Sequence, residues 1–323
     1  MALHRDHVGQ RVVVRRFLRG QTGPTGGPAF TDVLGVLEQW SPSELAVRHE
    51  DGRLHRIAQA DVATAKPVPP RTSVRHRIEP DRLQRICNAG WRAPHEEEVG
   101  DWLLRAGAGF TGRANSALVV GDPASGVAEA VGRIEAFYAA HGQRAVAQVV
   151  VGGPWLPVLT ELGWTTARPD QPDALVQVAS VAQARRAAAA SDRVAEVEVS
   201  ETLSDDWLAR YGRTEGLDPA AVRAVLTSGD SVAFASVGQP AGAIGRGVVT
   251  GDWLGIAAVE VAPPLRRTGL ARAVVDALLE WAAARGALSA YLQTLPDNVP
   301  ALELYARYGF RTHHAYRYLA APE

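Results

Sequence analysis

The residues best suited to chemistry lie between Gly255 and Ala271. Gly255-Ile256-Ala257-Ala258-Val259-Glu260-Val261 reads as a strand, Ala262-Pro263-Pro264-Leu265 as a turn, and Arg266-Arg267-Thr268-Gly269-Leu270-Ala271 as the start of a helix running to Arg285. The first turn of a helix leaves its N–H groups without carbonyl partners and carries the positive end of the helix dipole. Strand, tight turn and helix together therefore form a seat for a pyrophosphate. Gly269 lets a phosphate approach the backbone, Ala271 keeps the next turn slim, and Arg266 and Arg267 add charge-assisted contacts. Ala273, Val274, Ala277, Leu278 and Trp281 follow helical spacing and give that helix an apolar face. Further on come Asn298, Ala301, Leu304, Tyr305 and the pair Gly309-Phe310.

Taken together, these residues resemble the GNAT superfamily of acyltransferases over the stretch from Arg193 to Glu323. Arg266 to Ala271 follows the superfamily signature Arg/Gln-x-x-Gly-x-Gly/Ala, and Asn298 stands seven residues before Tyr305. The resemblance implies acetyl-CoA as co-substrate and no metal. It implies that Arg266, Arg267, Thr268, Gly269, Leu270 and Ala271 cradle the pyrophosphate. Backbone groups of Val259 and Val261 would pair with the pantetheine arm and the acetyl carbonyl, as an added strand would. Asn298 would touch the pantetheine or its neighbouring backbone, and Tyr305 would stand near the sulfur and protonate the departing thiolate. The implied reaction is direct attack of a primary amine, on a small molecule, peptide or protein, within a ternary complex.

The chain also departs from the family pattern. Positions where such enzymes often carry a Glu or His base are Gly255, Ala257 and Gln293 here. The proton of the amine must then pass to water, to Glu260, or to a group from elsewhere in the chain. Glu260 alternates out of phase with Val259 and Val261. The empty base positions leave a second function open, a non-catalytic acyl-CoA-binding regulator, against which the retained Tyr305 argues.

The elements that must position these residues fall into three modules, an α/β (α+β) chain with an SH3-like β-barrel followed by two GNAT folds, the first degenerate. Residues 1–66 hold short β-rich stretches (Arg11–Val14, Val33–Leu37, Glu44–Arg48, Arg53–Ile57), an Asp51-Gly52 hairpin signal and a closing helical turn at Asp61–Ala63, which suggests a small barrel. Residues 67–78 form a linker opened by the stiff Pro67-Val68-Pro69-Pro70-Arg71. Residues 79–188 then foreshadow residues 189–323. Glu135–Gly142 resembles Glu280–Gly286, each is followed by a β run (Ala145–Val151, Leu288–Leu292), and each run leads to a Gly-aromatic pair, Gly163-Trp164 and Gly309-Phe310. In the first copy the segment matching the cofactor loop, Gly121 to Val127, has no Arg and contains Asp122. That half is therefore expected to bind no CoA and to shape the acceptor site, as in tandem GNAT proteins. Arg113, Asn115 and Ser116 are candidates to read a carboxylate or amide of the acceptor, with a hairpin turn as the alternative. Pro94-His95-Glu96-Glu97-Glu98 is a candidate source of the missing base, with the solvated acidic edge of a strand as the favoured alternative. A barrel ahead of a GNAT pair resembles a bacterial family of acetyltransferases, some named for histones, although no passage encodes a preference for histone tails.

Composition bounds the remaining functions. With 46% hydrophobic and 21% charged residues the chain is an ordinary globular one, and a net charge of -1 gives no reason to expect a nucleic-acid partner. Basic residues outnumber acidic ones over residues 1–78, but Phe17, Phe30 and Trp40 are scattered and make no stacking stripe. A protein partner for the barrel stays open. No long apolar run predicts a membrane span, and Met1 to Asp6 lacks the apolar core of a signal peptide. Cys87 is the only cysteine, so an intramolecular disulfide is impossible and a cytoplasmic location is expected. Its helical neighbours Leu83 and Ile86 mark it as buried filler, so no covalent acyl-enzyme route through it is expected.

Overall fold

A computed structural model describes residues 3–23, 26–49, 52–68, 74–189 and 195–322. The chain divides into two compact units, Met1–Ser73 and Val74–Glu323. In the first, β1 (Arg11–Thr22), β2 (Pro28–Trp40), β3 (Glu44–His49), β4 (Leu54–Ala58) and β5 (Val62–Pro67) form one antiparallel sheet in the order β4-β3-β2-β1-β5. Alternation places Val12, Val14, Val33, Leu37, Leu45, Val47 and Ile57 in a single core, which is what holds so small a unit together. β1 and β2 run 12 and 13 residues, well beyond the expected short stretches, because their outer halves extend toward the Gly/Pro-rich loop. The turn expected at Asp61–Ala63 lies at Gln59–Asp61, and Val62 and Ala63 already belong to β5. Pro67 pairs with Val12 at the end of that strand. Asp51 of the hairpin signal, and Pro69, Pro70 and Arg71 of the linker, lie outside the described residues, as do Arg193 and Glu323.

The second unit is built on one long sheet. Its strands are β6 (His95–Val99), β7 (Trp102–Ala106), β8 (Ala117–Val119), β9 (Val146–Val150), β10 (Thr165–Thr166), β11 (Asp173–Ser180), β12 (Glu198–Ser200), β13 (Ser231–Val237), β14 (Ala243–Thr250), β15 (Trp253–Val261), β16 (Ser289–Thr294) and β17 (Arg311–Ala320). The helices are α1 (Pro80–Ala89), α2 (Val127–Ala140), α3 (Trp155–Glu161), α4 (Val181–Ala189), α5 (Asp205–Arg210), α6 (Pro219–Leu226), α7 (Leu270–Ala283) and α8 (Val299–Arg307). Strand order is β12-β13-β14-β15-β16-β11-β17-β9-β8-β7-β6, with β10 beside β17. Two neighbouring pairs, β15–β16 and β8–β9, are parallel.

That order reads the same outward from its centre. From the antiparallel pair β11–β17, one side runs β16, β15, β14, β13 and the other β9, β8, β7, β6. The repeated sequence stretches occupy equivalent places: α7 precedes β16 as α2 precedes β9, and α8 follows β16 as α3 follows β9. The two central strands are exchanged. β11 follows the first set in sequence yet pairs with β16 of the second, from Leu175↔Thr294 to Ser180↔Ser289, while β17 pairs with β9.

Each side packs its own core. α7 buries Ala273, Val274, Val275, Leu278, Leu279 and Ala282 against the sheet, with α4 alongside, and α2 buries Ala130, Val131, Ile134 and Tyr138 on the other side. Gly245 and Gly247 let α7 press onto β14. A Cβ at Gly245 would lie 2.4 Å from Val274, so any larger residue would lift the helix off the strand. Among the described residues no helix is long and apolar enough to cross a membrane.

Because β11 fills the slot between β16 and β17, the two sides are expected to fold only together. A chain of residues 74–323 should be soluble and cooperative by size-exclusion chromatography and urea unfolding. One of residues 195–323 would expose both edges of that slot and should aggregate. A soluble, cooperatively unfolding 195–323 chain would contradict the exchanged sheet.

Candidate active site

Parallel pairing of β15 with β16 runs from Trp253↔Ser289 to Ile256↔Leu292 and stops there. β15 continues to Val261 against β14 alone, while β16 ends at Thr294 and leads to α8. The result is a wedge with the backbone of Ala257–Val261 along one wall. Within that wall the register slips between Ile244 and Arg246, and Ala258 adopts φ +52°, a left-handed conformation uncommon outside glycine. The bulge resets the alternation. Ile256, Val259 and Val261 pack into the α7 core, while Gly255, Ala257 and Glu260 belong to the opposite face.

At the end of that wall the chain makes a turn at Pro263–Leu265 and enters α7 through Gly269, at φ +90°. No side chain caps this helix, so its first N–H groups keep their donor capacity. Arg266, Arg267 and Thr268 are exposed; Arg266 Nε donates to Val261 O at 3.4 Å and Thr268 Oγ1 to Leu265 O at 2.6 Å. Leu270 and Ala271 are half-buried in the first turn. Two guanidinium groups beside a positive helix end make this an anion seat.

The far side of the wedge is α8. Asn298 caps it, accepting a hydrogen bond from Ala301 N at 3.3 Å. Tyr308 donates to Asp276 Oδ1 at 2.5 Å and ties α8 to α7. Tyr305 is 7% exposed, stands edge-on to Phe310 at 5.5 Å and shares its core with Val259, Val261 and Leu270. Burial pushes its hydroxyl well above the ordinary tyrosine range, so at neutral pH it stays protonated and able to donate.

The opposite face of the wedge is polar. Glu260 accepts from Gly212 N at 3.2 Å and lies 3.6 Å from Arg213 Nε. Arg246, fully buried, donates to the carbonyls of Leu226, Gly90 and Ser228 at 2.6, 2.9 and 2.6 Å. Burial lowers its pKa to about 10. Trp91 lies under two guanidinium groups, Arg113 at 4.3 Å and Arg246 at 4.9 Å from its ring centre. Cys87 is buried beside Gln293, and burial raises its thiol far above the usual range. It is an inert thiol and no nucleophile at neutral pH.

The three residues expected to read the acceptor separate here. Asn115 and Ser116 serve the loop itself, and this corrects their proposed role. Asn115 Oδ1 accepts from Gly107 N and Gly109 N, and Nδ2 donates to Phe110 O and Thr111 O, all at 2.9 Å, which exhausts its capacity. Ser116 is fully buried, donating to Gly112 O and accepting from Arg105 Nη2. Arg113 alone reaches the polar face. Sequence reasoning missed Arg246, Trp91 and Arg105; an Arg set between Gly245 and Gly247 in an otherwise apolar strand was the available signal for the first.

In the equivalent split of the first half, beyond Val119↔Val149, backbone groups are already engaged, beside an open pocket lined by Asp81, Arg85, Gly121 and Val150. Asp81 Oδ2 accepts from Gly121 N at 2.9 Å, and Arg85 Nη2 donates to Val120 O at 3.3 Å and to Asp101 O at 2.9 Å. Side chains of α1 and its neighbours thus occupy the backbone groups that the C-terminal wedge leaves open. Arg246 also has a structural consequence. Arg246→Ala strands three buried carbonyls and should lower the unfolding free energy by about 3 kcal/mol in urea titrations, whereas a loss under about 1 kcal/mol would contradict its joining role.

A family model described as "Probable histone acetyltransferase Rv0428c C-terminal" matches residues 79–319, and one described as "Rv0428c N-terminal Sm-like domain" matches residues 6–66. The probable histone acetyltransferase Rv0428c of Mycobacterium tuberculosis is 28% identical over 327 residues, covering 97% of this chain and 95% of its own. The structure of a GCN5-related N-acetyltransferase from Kribbella flavida covers 75% of this chain and 95% of its own, with a TM-score of 0.53 at 18% identity. A tandem GNAT protein from the clavulanic acid biosynthesis pathway covers 75% and 88%, with a TM-score of 0.52 at 13% identity. These two structures share the fold over three quarters of this chain. The chain belongs to the Rv0428c-like family of N-acetyltransferases, with an Sm-like N-terminal domain and a C-terminal acetyltransferase domain.

Proposed function

We propose that the chain transfers the acetyl group of acetyl-CoA to a primary amine within the wedge between β15 and β16. The observation that carries this is the open backbone edge Ala257–Val261 ending at an uncapped, arginine-flanked helix start. Arg266, Arg267 and the N–H groups from Thr268 to Ala271 hold the pyrophosphate. Val259 and Val261 backbone groups pair with the pantetheine and polarise the acetyl carbonyl. Asn298 fixes the start of α8, and α8 brings Tyr305 to the sulfur.

The amine nitrogen attacks the acetyl carbon directly. A C–N bond forms, the C–S bond breaks, and Tyr305 gives its proton to the departing sulfur. The proton released by the amine passes through water to Glu260, which stands on the acceptor face of β15 and is held there by Gly212 N. Residues 79–188 and 189–323 act as two GNAT folds that exchange a strand, and only the second takes acetyl-CoA. The first unit, residues 1–66, is an SH3-like barrel suited to docking a protein partner.

Two substitutions test the assignment. Gly269→Glu puts a side chain and a negative charge where the pyrophosphate sits. Calorimetry should find acetyl-CoA binding abolished, and unchanged affinity would overturn the cradle. Tyr305→Phe keeps the ring in its slot and removes the proton donor. Turnover should fall by about 100-fold or more with little change in acetyl-CoA affinity, and full activity would leave Tyr305 a packing residue only.

A further inference from the structure

Two small cavities adjoin at the point where β15 and β16 part. One is lined by Gly255, Ala257, Tyr291, Arg113 and Arg246, the other by Asn88, Gln148, Arg105 and Arg113, and both by Cys87, Trp91 and Gln293. Each has room for about one water molecule. Three guanidinium groups thus converge on the inner end of the acceptor side, and no lining residue is Asp or Glu. Arg105 and Arg246 give their hydrogen bonds to neutral acceptors: Ser116, Asn88 and Gln148 for the first, three backbone carbonyls for the second. Arg113 has no hydrogen bond or ion pair among the described residues and is held by stacking on Trp91. Glu260 lies on the same face but is engaged by Gly212 and Arg213.

Buried positive charge without a compensating anion is costly, and a site that gathers it recovers that cost when an anion enters. A second feature points to a ligand in the same place. The Gln293 side chain lines both cavities beside Cys87, and its Oε1 is buried with no partner among the described residues. An orphaned acceptor beside unpaired guanidinium charge matches a molecule that carries an N–H donor at one end and an anion at the other.

We propose that the acceptor is a small amine bearing a carboxylate, of which an amino acid is the simplest form. Its carboxylate pairs with the half-buried Arg113 at the edge of these cavities, and the buried Arg246 and Arg105 behind it supply the surrounding positive field. Its amine donates to Gln293 Oε1, which borders the same cavities. This rests on the acetyl-transfer reading given above and narrows its acceptor. A lysine-rich tail, cationic on both sides of the target amine, meets repulsion here from Arg113 and Arg246.

The test uses the full chain with acetyl-CoA and a panel of amino acids, each paired with its carboxamide, together with a lysine-rich peptide. Free-thiol release reads transfer, and thermal unfolding with each compound reads binding. At least one acid should exceed its amide by about tenfold or more in kcat/KM and raise the Tm where its amide does not, as loss of a charge-assisted pair dictates. Arg113→Gln should bring that ratio toward one, and Arg113→Lys should restore part of it. Preference for amides or for the lysine-rich peptide would overturn the proposal. So would an acid-to-amide ratio untouched by Arg113→Gln, or a panel in which no acid is either acetylated or bound. In each of these cases intact acetyl-CoA binding would leave the acetyl-transfer reading standing; loss of acetyl-CoA binding in the unaltered chain would overturn both.

Discussion

Two parallel strands that stop pairing in mid-sheet leave a row of backbone groups in search of partners, and the second unit is organised around that problem. β15 and β16 part after Ile256 and Leu292, and the bulge at Ala258 turns the free edge of β15 into the opening. Buried N–H and C=O groups are rarely left unpaired in a stable fold, so such an edge must meet solvent, side chains or a ligand. In the first half Asp81 and Arg85 take up Gly121 N and Val120 O. In the second, the backbone edge beyond Ile256 has no such side-chain partners and ends at a positive helix start.

The surrounding structure fixes how wide that opening is. Gly245 and Gly247 allow α7 to lie close on β14, so the helix start at Gly269 is held at the end of β15. Tyr308 bridges to Asp276 and sets α8 against α7, which in turn places Tyr305 in the common core. On the opposite face Arg246 gathers the ends of α1 and α6 onto β14 through three carbonyls. A buried cation in that role is costly by itself, and its worth is in joining segments far apart in sequence while charging that face of the sheet.

Much of this was legible in the residues. The loop from Arg266 to Ala271, Asn298 and Tyr305 are local signals, each readable because helix starts, caps and short helices impose spacing over a few residues. The repeated stretches around Gly142 and Gly286 also announced themselves. The exchange of β11 and β17 was not legible, because strand neighbours depend on which edge is free after folding and not on alternation within the strand. Asn115 and Ser116 were misread for a related reason. Polar residues in a Gly-rich loop satisfy the loop's own backbone as readily as a ligand, and only the tally of their hydrogen bonds decides. Glu260 depended on a bulge that shifts the alternation by one residue, which the residue types of β15 do not reveal.

Hydrogen–deuterium exchange of the full chain with and without acetyl-CoA addresses the open edge itself. Protection should appear at the amides of residues 257–261 and 267–272, with residues 120–127 unchanged because Asp81 and Arg85 already engage Gly121 N and Val120 O. Protection at residues 120–127, or none at residues 257–261, would contradict the claim that the C-terminal wedge alone receives the acyl donor.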